Sequence, residues 1–284
     1  MKILTLNAHA WREENGEAKL SHLAETIIEK DYDIIAFQEV NQMIQIESVA
    51  PSCLTKEAVR AEFINGDFLA DGVTRYNNYV AILLEKINAL GGPQYYYFWD
   101  KAKSLRETYE EGCGILSKYP FKETEAFLVS GVTDCLSPKR RTIVRGTIEY
   151  QGELIDLYSC HLGWWHDEID PAKPQIDKLM AKVNKDRLSF LMGDFNNNAH
   201  IRNEGYDYLI GKGLEDTYTL AEEKDEGATV EGEIAGWDGN KESLRIDLIL
   251  MNKVLNVKTS RVIFNGQYKE VISDHYGVEA EIEL

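Results

Sequence analysis

Short apolar runs alternate with segments of helical periodicity along the first third of the chain. Residues 2–7 and 33–38 have the apolar character of buried strands, and residues 18–29 between them place leucine and isoleucine at helical spacing. The chain therefore begins with a predicted strand–helix–strand unit. A second helix is predicted over residues 79–90, where two glycines and a proline end the pattern.

The rest of the chain favours strands. Residues 142–150 and 154–160 alternate apolar and polar positions on either side of Gly152, which predicts a hairpin, and residues 171–184 predict a helix. Further strands are predicted at residues 95–99, 114–117, 188–192, 244–251, 257–264 and 278–284. Residues 41–78 are irregular, and the acidic, glycine-rich residues 221–242 predict a long loop.

The order of these elements predicts an α/β (α+β) fold. The chain shows no repeat and no interdomain linker, and its 284 residues with 44% hydrophobic content can bury a sizeable core. Two β-sheets packed together with helices outside satisfy the pattern, because each apolar face then meets another layer. We expect one domain spanning residues 1–284.

The chain carries a formal net charge of −17. Affinity for a nucleic-acid backbone normally comes from Lys and Arg that neutralise phosphates, so a nucleic-acid partner is disfavoured. A small anionic substrate stays compatible, since a metal ion and a few arginines can reverse the field locally. The acidity could equally serve solubility alone.

Four cysteines, Cys53, Cys113, Cys135 and Cys160, form no Cys-x-x-Cys pair, which disfavours a zinc knuckle or a redox motif. The chain has no signal-peptide pattern and no run of about 18 apolar residues that could span a membrane. These features predict a soluble, reduced, cytoplasmic protein, and they leave its oligomeric state open.

Polar side chains stand at the ends of several predicted strands. Asn7 ends the first, Glu39 follows the run DIIAFQ, and His161 ends IDLYSCH. Asp194 and Asn196 follow LSFLM two positions apart, so both can face the same side. Each could also be a solvated strand end or a turn residue. Together they suit phosphate ester hydrolysis, for which hard oxygen ligands select Mg²⁺, Mn²⁺ or Ca²⁺.

Asp247 lies within the apolar run LRIDLILM. A lone buried Asp is costly unless it is paired, and a histidine that it orients is the expected partner. Asp274 and His275 are adjacent and could divide metal binding and proton transfer between them.

Arg141, Trp164 and Trp165 are candidates for substrate binding. Arg141 could clamp a phosphate or remain a solvated charge. The two tryptophans could form a platform for the substrate or belong to the core.

The ordered set TLNAH, FQEV, SCHL, GDFN, RIDLIL and SDHYGV resembles the signature of the endonuclease/exonuclease/phosphatase superfamily, over nearly the whole chain. The resemblance implies a four-layer α/β/β/α sandwich of the DNase I type, with two mixed sheets flanked by helices. It also implies a metal-dependent phosphoesterase.

The same resemblance implies the roles of individual residues. Glu39 would be the principal metal ligand, with Asn7 nearby and Asp274 in support. Asp194 and Asn196 would hold the attacking water and a phosphoryl oxygen, and Asp247 would orient His275 as general base or phosphate contact. His161 would stabilise the leaving group or the phosphoryl oxygens, with Glu111 supporting it, and Arg141 would be a phosphate clamp.

The segments YEEGCGILSKYP, RRTIVRGTI and SCHLGWWHDE are similar to the bacterial branch that includes maltose 6'-phosphate phosphatases. This similarity implies a Mg²⁺-dependent phosphomonoesterase for a small sugar phosphate. The alternatives are a nuclease-like or sphingomyelinase-like phosphodiesterase and a catalytically inactive binding module. Substrate choice is expected to reside in loops such as residues 41–78 and 221–242.

Overall fold

The computed structural model describes residues 1–44, 74–75, 77–105 and 108–284. Its helices are α1 (Gly16–Lys30), α2 (Tyr79–Ala89), α3 (Ala172–Lys182), α4 (Gly205–Gly211) and α5 (Thr217–Leu220). Its strands are β1 (Lys2–Asn7), β2 (Ile34–Met43), β3 (Tyr96–Leu105), β4 (Tyr109–Ser117), β5 (Phe121–Leu128), β6 (Thr142–Tyr150), β7 (Glu153–His161), β8 (Leu188–Asp194), β9 (Glu215–Asp216), β10 (Glu223–Lys224), β11 (Val230–Glu231), β12 (Ser243–Leu244), β13 (Asp247–Met251), β14 (Asn256–Ile263) and β15 (Gly277–Glu283).

These strands build two large mixed sheets. The first sheet has the order β10-β14-β15-β1-β2-β4-β3, and the second has the order β5-β6-β7-β8-β13-β9. β1 pairs parallel with β2 in the first sheet, and β7 pairs parallel with β8 in the second. The carboxyl ends of β1, β7 and β8 carry Asn7, His161 and Asp194, respectively.

Three buried apolar clusters hold the sheets and helices together. Inward-facing side chains of both sheets, such as Ile3, Ile115 and Phe190, form one buried cluster between the sheets. A second cluster packs α1 and α2 against the first sheet, and a third packs α3 and α4 against the second. The predicted four-layer α/β/β/α sandwich is therefore confirmed.

The structure corrects several sequence-based boundaries. β2 continues to Met43, so the prediction that residues 41–43 are irregular is wrong. Residues 45–73, which include Cys53, lie outside the described part of the chain. The predicted strand at residues 244–251 is two strands, since β12 pairs with β11 and β13 pairs with β8. Asp247 is consequently the first residue of β13 and not an interior one.

Cys113, Cys135 and Cys160 are free thiols. Within the described residues, no helix has both the length and the apolar character needed to cross a lipid bilayer.

Candidate active site

Glu39 is placed by an irregularity in the pairing of β2 with β4. The register of these strands shifts between Phe37 and Val40, and Glu39 has a φ of 49° in the left-handed region. A bulge of this kind re-aims a side chain and increases the local twist, at a cost of about 1–3 kcal/mol for a non-glycine residue. Here it turns the Glu39 carboxylate into a cavity, with 18% of the side chain exposed.

The second sheet aligns three polar residues side by side. His161 on β7 is in register with Asp194 on β8, and Asp194 is in register with Asp247 on β13. All three are almost completely buried. His161 Nε2 lies 3.6 Å from Asp194 Oδ2. Strand pairing alone therefore brings together three residues that are far apart in the sequence.

Asn7 connects the two sheets at this edge. Its Nδ2 donates to Glu39 Oε1 and to Asp194 Oδ2, both at 3.2 Å. Its Oδ1 accepts the backbone N–H of His9 at 3.3 Å. Asn7 therefore fixes the separation of the two carboxylates through its amide nitrogen.

Asn196 occupies the turn directly after β8, with a φ of 51°. Its backbone N–H donates to Asp194 Oδ1 at 2.9 Å, and its Nδ2 donates to Asp194 Oδ2 at 3.2 Å and to the Leu162 carbonyl at 3.0 Å. Its Oδ1 accepts the Trp237 indole N–H at 3.2 Å. The Asp194 carboxylate is therefore fixed from both sides.

His275 and Asp247 form the predicted pair. His275 Nδ1 lies 2.9 Å from Asp247 Oδ2, and His275 Nε2 lies 3.9 Å from Asp194 Oδ2. Burial alone would lower the pKa of His275, but the negative charges on Asp247 and Asp194 outweigh it and raise the pKa to about 10. His275 is therefore an imidazolium at neutral pH.

The other titratable groups of the site respond differently. Burial, with the charges on Asp247 and Glu39, raises the pKa of Asp194 to about 7, although His275 opposes this shift. Burial and the positive charge on Arg141 lower the pKa of His161 well below its ordinary value, so its imidazole is neutral. Burial favours the neutral form of Glu39, but the positive charges around it, that on Lys103 foremost, and the hydrogen bond from Asn7 together outweigh burial and leave the pKa of Glu39 lowered. Perturbed pKa values of this kind cluster at functional sites.

These residues line a cavity of about 670 Å³, which we call the central cavity. Its walls include Glu39, Glu111, His161, Asp194, Asn196, His275, Arg12, Lys103, Arg141 and Trp164. Arg141 is 4% exposed and is held by the carbonyls of Leu162 and Pro138, at 3.1 and 2.7 Å. Its guanidinium carbon lies 5.7 Å from the Trp164 ring centre.

Lys103 was missed by the sequence analysis. It is 6% exposed, and its Nζ lies 2.8 Å from Glu111 Oε1 within the wall of the central cavity. The register of β3 and β4 shifts between Lys101 and Lys103. The motif KAKS gives no local sign that one of its lysines is buried, because the burial depends on this strand pairing.

Four predicted residues do not line the central cavity, and two of them, Asn7 and Asp247, contact its lining residues directly. Asp274 Oδ1 lies 3.6 Å from His9 Nδ1, in a cluster with Glu13 beside the site. Glu13 in turn contacts Lys19 at 2.5 Å, so this cluster is already neutralised in part. Trp165 packs against the core under α3 and against Tyr208, with ring centres 5.6 Å apart. The remaining predicted site residues, including Glu111, are brought together.

The donor set fits a hard divalent cation. Ligand atoms of Glu39, Glu111 and His161 lie within 4.8 Å of one another, as do those of Asp194, Asp247 and His275. Among the described residues, Glu39 Oε2 contacts Arg12 at 3.6 Å, and Glu39 lines the cavity. Carboxylates such as those of Glu39 and Glu111 suit Mg²⁺, Mn²⁺ or Ca²⁺ better than a soft metal.

Acids, amides and imidazoles converge at one edge of a sandwich of two mixed sheets. This arrangement defines the class of metal-dependent phosphoesterases. The sequence profile of the Endonuclease/Exonuclease/phosphatase family matches residues 61–275, and the chain belongs to this family. Among curated proteins, no sequence matches the chain significantly.

Solved structures agree with this assignment. A family member from Leptotrichia buccalis is 37% identical over 100% of both chains, with a TM-score of 0.86. A Bacteroides thetaiotaomicron mannosyl-6-phosphatase has a TM-score of 0.64 at 17% identity, over 100% of both chains. The D. rerio TDP2 complex with a single strand DNA product has a TM-score of 0.63 at 14% identity, over 100% of this chain and 99% of that chain. The last two share the fold.

Proposed function

We propose that the protein is a Mg²⁺-dependent phosphomonoesterase that acts on a small sugar phosphate, such as a disaccharide 6-phosphate. One observation carries the proposal. The central cavity is lined by two buried cations, Lys103 and Arg141, and by the carboxylates of Glu39 and Asp194. A phosphoryl group between them would meet positive charge on one side and a metal-binding edge on the other.

Glu39 would hold the cation, with Asn7 fixing its carboxylate and Glu111 within reach. When bound, the ion neutralises phosphoryl oxygens and polarises the phosphorus–oxygen bond. Mn²⁺ and Ca²⁺ are alternative occupants with the same ligand preference.

Asp194 and Asn196 would position the attacking water. A pKa of about 7 suits Asp194 to accept the proton of that water near neutral pH. The water oxygen forms the new bond to phosphorus while the bond from phosphorus to the ester oxygen breaks. The ester oxygen takes up a proton from solvent and leaves as the sugar hydroxyl, Asp194 returns its proton to solvent, and inorganic phosphate is the second product.

The imidazoles would act on the phosphoryl oxygens. His275, held as an imidazolium by Asp247, can donate a charge-assisted hydrogen bond from Nε2. His161 is neutral and can donate from one nitrogen to a phosphoryl or leaving oxygen. Arg141 would add two donors on the same side.

Two facts support a small substrate over nucleic acid. The net charge of −17 repels a polyanion at long range. The mannosyl-6-phosphatase relative also supports sugar phosphate hydrolysis on this fold. A small phosphorylated molecule is therefore the proposed partner.

The test measures product release from four substrates, with Mg²⁺ or with EDTA. These are glucose 6-phosphate, maltose 6'-phosphate, a nucleoside monophosphate and bis(p-nitrophenyl) phosphate. We expect Mg²⁺-dependent phosphate release from the sugar phosphates, and a loss of about a thousandfold or more in kcat for Asp194→Ala. The matched control is Asp186→Ala, an exposed acid outside the central cavity. Hydrolysis of the diester without hydrolysis of any monoester would contradict the proposal and indicate a phosphodiesterase.

A further inference from the structure

A second groove of about 520 Å³ adjoins the central cavity. Trp164, Asn196 and Gly236 line both spaces and form their common wall. We call the second space the tryptophan groove, because Trp164, Trp165 and Trp237 all line it. It is therefore a direct extension of the site where the phosphate is proposed to bind.

Asn196 links the two spaces through hydrogen bonds. Its Nδ2 donates to Asp194 Oδ2 at 3.2 Å, and its Oδ1 accepts the Trp237 indole N–H at 3.2 Å. A molecule whose reacting group lies at Asp194 therefore has its neighbouring part within one side chain of Trp237. Only the side chain of Asn196 therefore separates the proposed reaction centre from the tryptophan groove.

The charge of the groove excludes a polyanion. Its basic side chains are engaged, since Lys139 pairs with Asp167 and His166 Nε2 lies 2.7 Å from Glu204 Oε1. Asp238 adds a further negative charge. A nucleic-acid strand needs cations that neutralise its backbone, so aromatic side chains without free cations do not suit it.

The surface of the groove suits a neutral ring with many hydroxyls. Indole faces cover apolar ring surface, while amides and carboxylates around them accept or donate hydrogen bonds. The position of Trp237 is also fixed. Ile234 and Trp237 pack against a buried cluster of Val230, Leu244 and Ile246.

Gly236 keeps the shared wall closely packed. It has a φ of 86°, and a Cβ at this position would lie 2.2 Å from Cζ2 of Trp164. The loop that carries Trp237 therefore lies directly on Trp164, and the groove is formed before a ligand binds.

We propose that the tryptophan groove binds the second sugar ring of a disaccharide monophosphate, whose phosphorylated ring occupies the central cavity. This inference rests on the proposed phosphatase function and names the part of the substrate that determines selectivity. Trp237 is then a specificity-determining residue that also positions Asn196.

The experiment compares kcat/KM for maltose 6'-phosphate with kcat/KM for glucose 6-phosphate. We expect the wild type to prefer the disaccharide, and Trp237→Ala to reduce this preference about tenfold or more. Trp237→Phe keeps an aromatic ring but loses the donor to Asn196, so it should lower kcat for both substrates and retain the preference.

Ile201→Trp provides a second, independent variant. Ile201 is 41% exposed and lines the groove but not the central cavity, so a larger side chain there should lower kcat/KM for the disaccharide alone. Ile169→Ala, at an exposed residue outside both spaces, is the matched control. The inference is overturned if both Trp237→Ala and Ile201→Trp leave the substrate preference of the wild type unchanged.

A binding measurement separates this inference from the proposed function. Maltose is titrated into ¹⁵N-labelled wild-type protein while the indole N–H signal of Trp237 is followed. A saturable shift that Ile201→Trp abolishes supports the groove, even if no phosphate ester is hydrolysed, and then only the proposed function fails. Turnover of sugar phosphates without any maltose shift or disaccharide preference refutes the groove alone.

Discussion

His275 Nδ1 and Asp247 Oδ2 lie 2.9 Å apart, although 28 positions separate the two residues in the sequence. Asp247 begins β13, and His275 precedes β15, a strand of the other sheet. Their contact therefore crosses between the two sheets at the edge where the site lies. The Asp247 carboxylate favours the protonated form of His275 and raises its pKa.

Replacing Asp247 by Asn should lower the pKa of His275. In the wild type, the charges on Asp247 and Asp194 raise this pKa to about 10 against the effect of burial. Without the Asp247 charge, burial regains weight and the pKa falls. The measurement is an NMR titration of the His275 Cε1–H signal in metal-free protein, with the exposed Asp186→Asn as control. An unchanged titration in Asp247→Asn would contradict this assignment.

Between about pH 6 and pH 9, the stability of the metal-free protein should fall as the pH rises. His275 binds its proton more tightly in the folded chain, so its contribution is fully present below pH 6.5 and is lost as the pH rises through about 10. Asp194 acts in the same direction between 3.8 and about 7. Urea unfolding at about pH 6 and pH 9 measures the loss, which should be smaller in Asp247→Asn. A rise in the free energy of unfolding over this pH interval would contradict the prediction.

Much of this site could be predicted from the sequence, because the relevant signals are local. Asp194 and Asn196 directly follow an apolar strand, and Asp247 sits among apolar residues that make an unpaired carboxylate costly. The two-sheet arrangement also follows from alternation and strand order. In each case the information lies within about ten residues of the feature it predicts.

Other features depend on contacts that no local pattern shows. The left-handed conformation of Glu39 lies at the register shift between β2 and β4, and the residues of β4 there are more than 70 positions away. β5 was missed because it is an edge strand whose charged side chains face solvent, so its alternation is weak. α4 has seven residues bounded by glycines, too few for a clear helical period.

Glu39→Gln should abolish stabilisation by divalent metal. Glu39 is the proposed principal ligand, and a neutral amide binds Mg²⁺ more weakly than a carboxylate. A ligand at 100 times its Kd stabilises the folded state by about 2.7 kcal/mol. Thermal unfolding with increasing Mg²⁺ should therefore raise the Tm of the wild type but not of Glu39→Gln. The control is Glu25→Gln, at an exposed position of α1. If Mg²⁺ raises the Tm of Glu39→Gln as much as that of the wild type, the ion binds elsewhere.

Lys103→Met should destabilise the protein by about 3–5 kcal/mol, because Glu111 is then left as an unpaired buried charge. The double variant Lys103→Met/Glu111→Leu should recover most of this loss, since it removes both charges. If Lys103 contacts the phosphate, the double variant folds but is less active than Glu111→Leu alone. Urea unfolding and phosphate release measure the two effects separately. Recovery of both stability and activity would reduce Lys103 to a structural role.

Gly193→Ala tests how closely the strand before Asp194 approaches its neighbour. Gly193 has a φ of 147°, and a Cβ there would lie 1.9 Å from the carbonyl oxygen of Cys160. That oxygen belongs to β7, which is paired on both sides and cannot move aside cheaply. We expect a loss of about 2–5 kcal/mol in the free energy of unfolding, together with displacement of Asp194 and reduced phosphate release.

The control for this variant is Gly16→Ala. Gly16 begins α1 and has open space around its Cα, so alanine there should be neutral or stabilise by up to about 1 kcal/mol. Chemical denaturation of both variants gives the comparison. If Gly193→Ala is as stable and active as Gly16→Ala, the close approach of β8 to β7 does not position Asp194. A selective loss in Gly193→Ala instead shows that a position without a functional side chain sets the geometry of the carboxylate next to it.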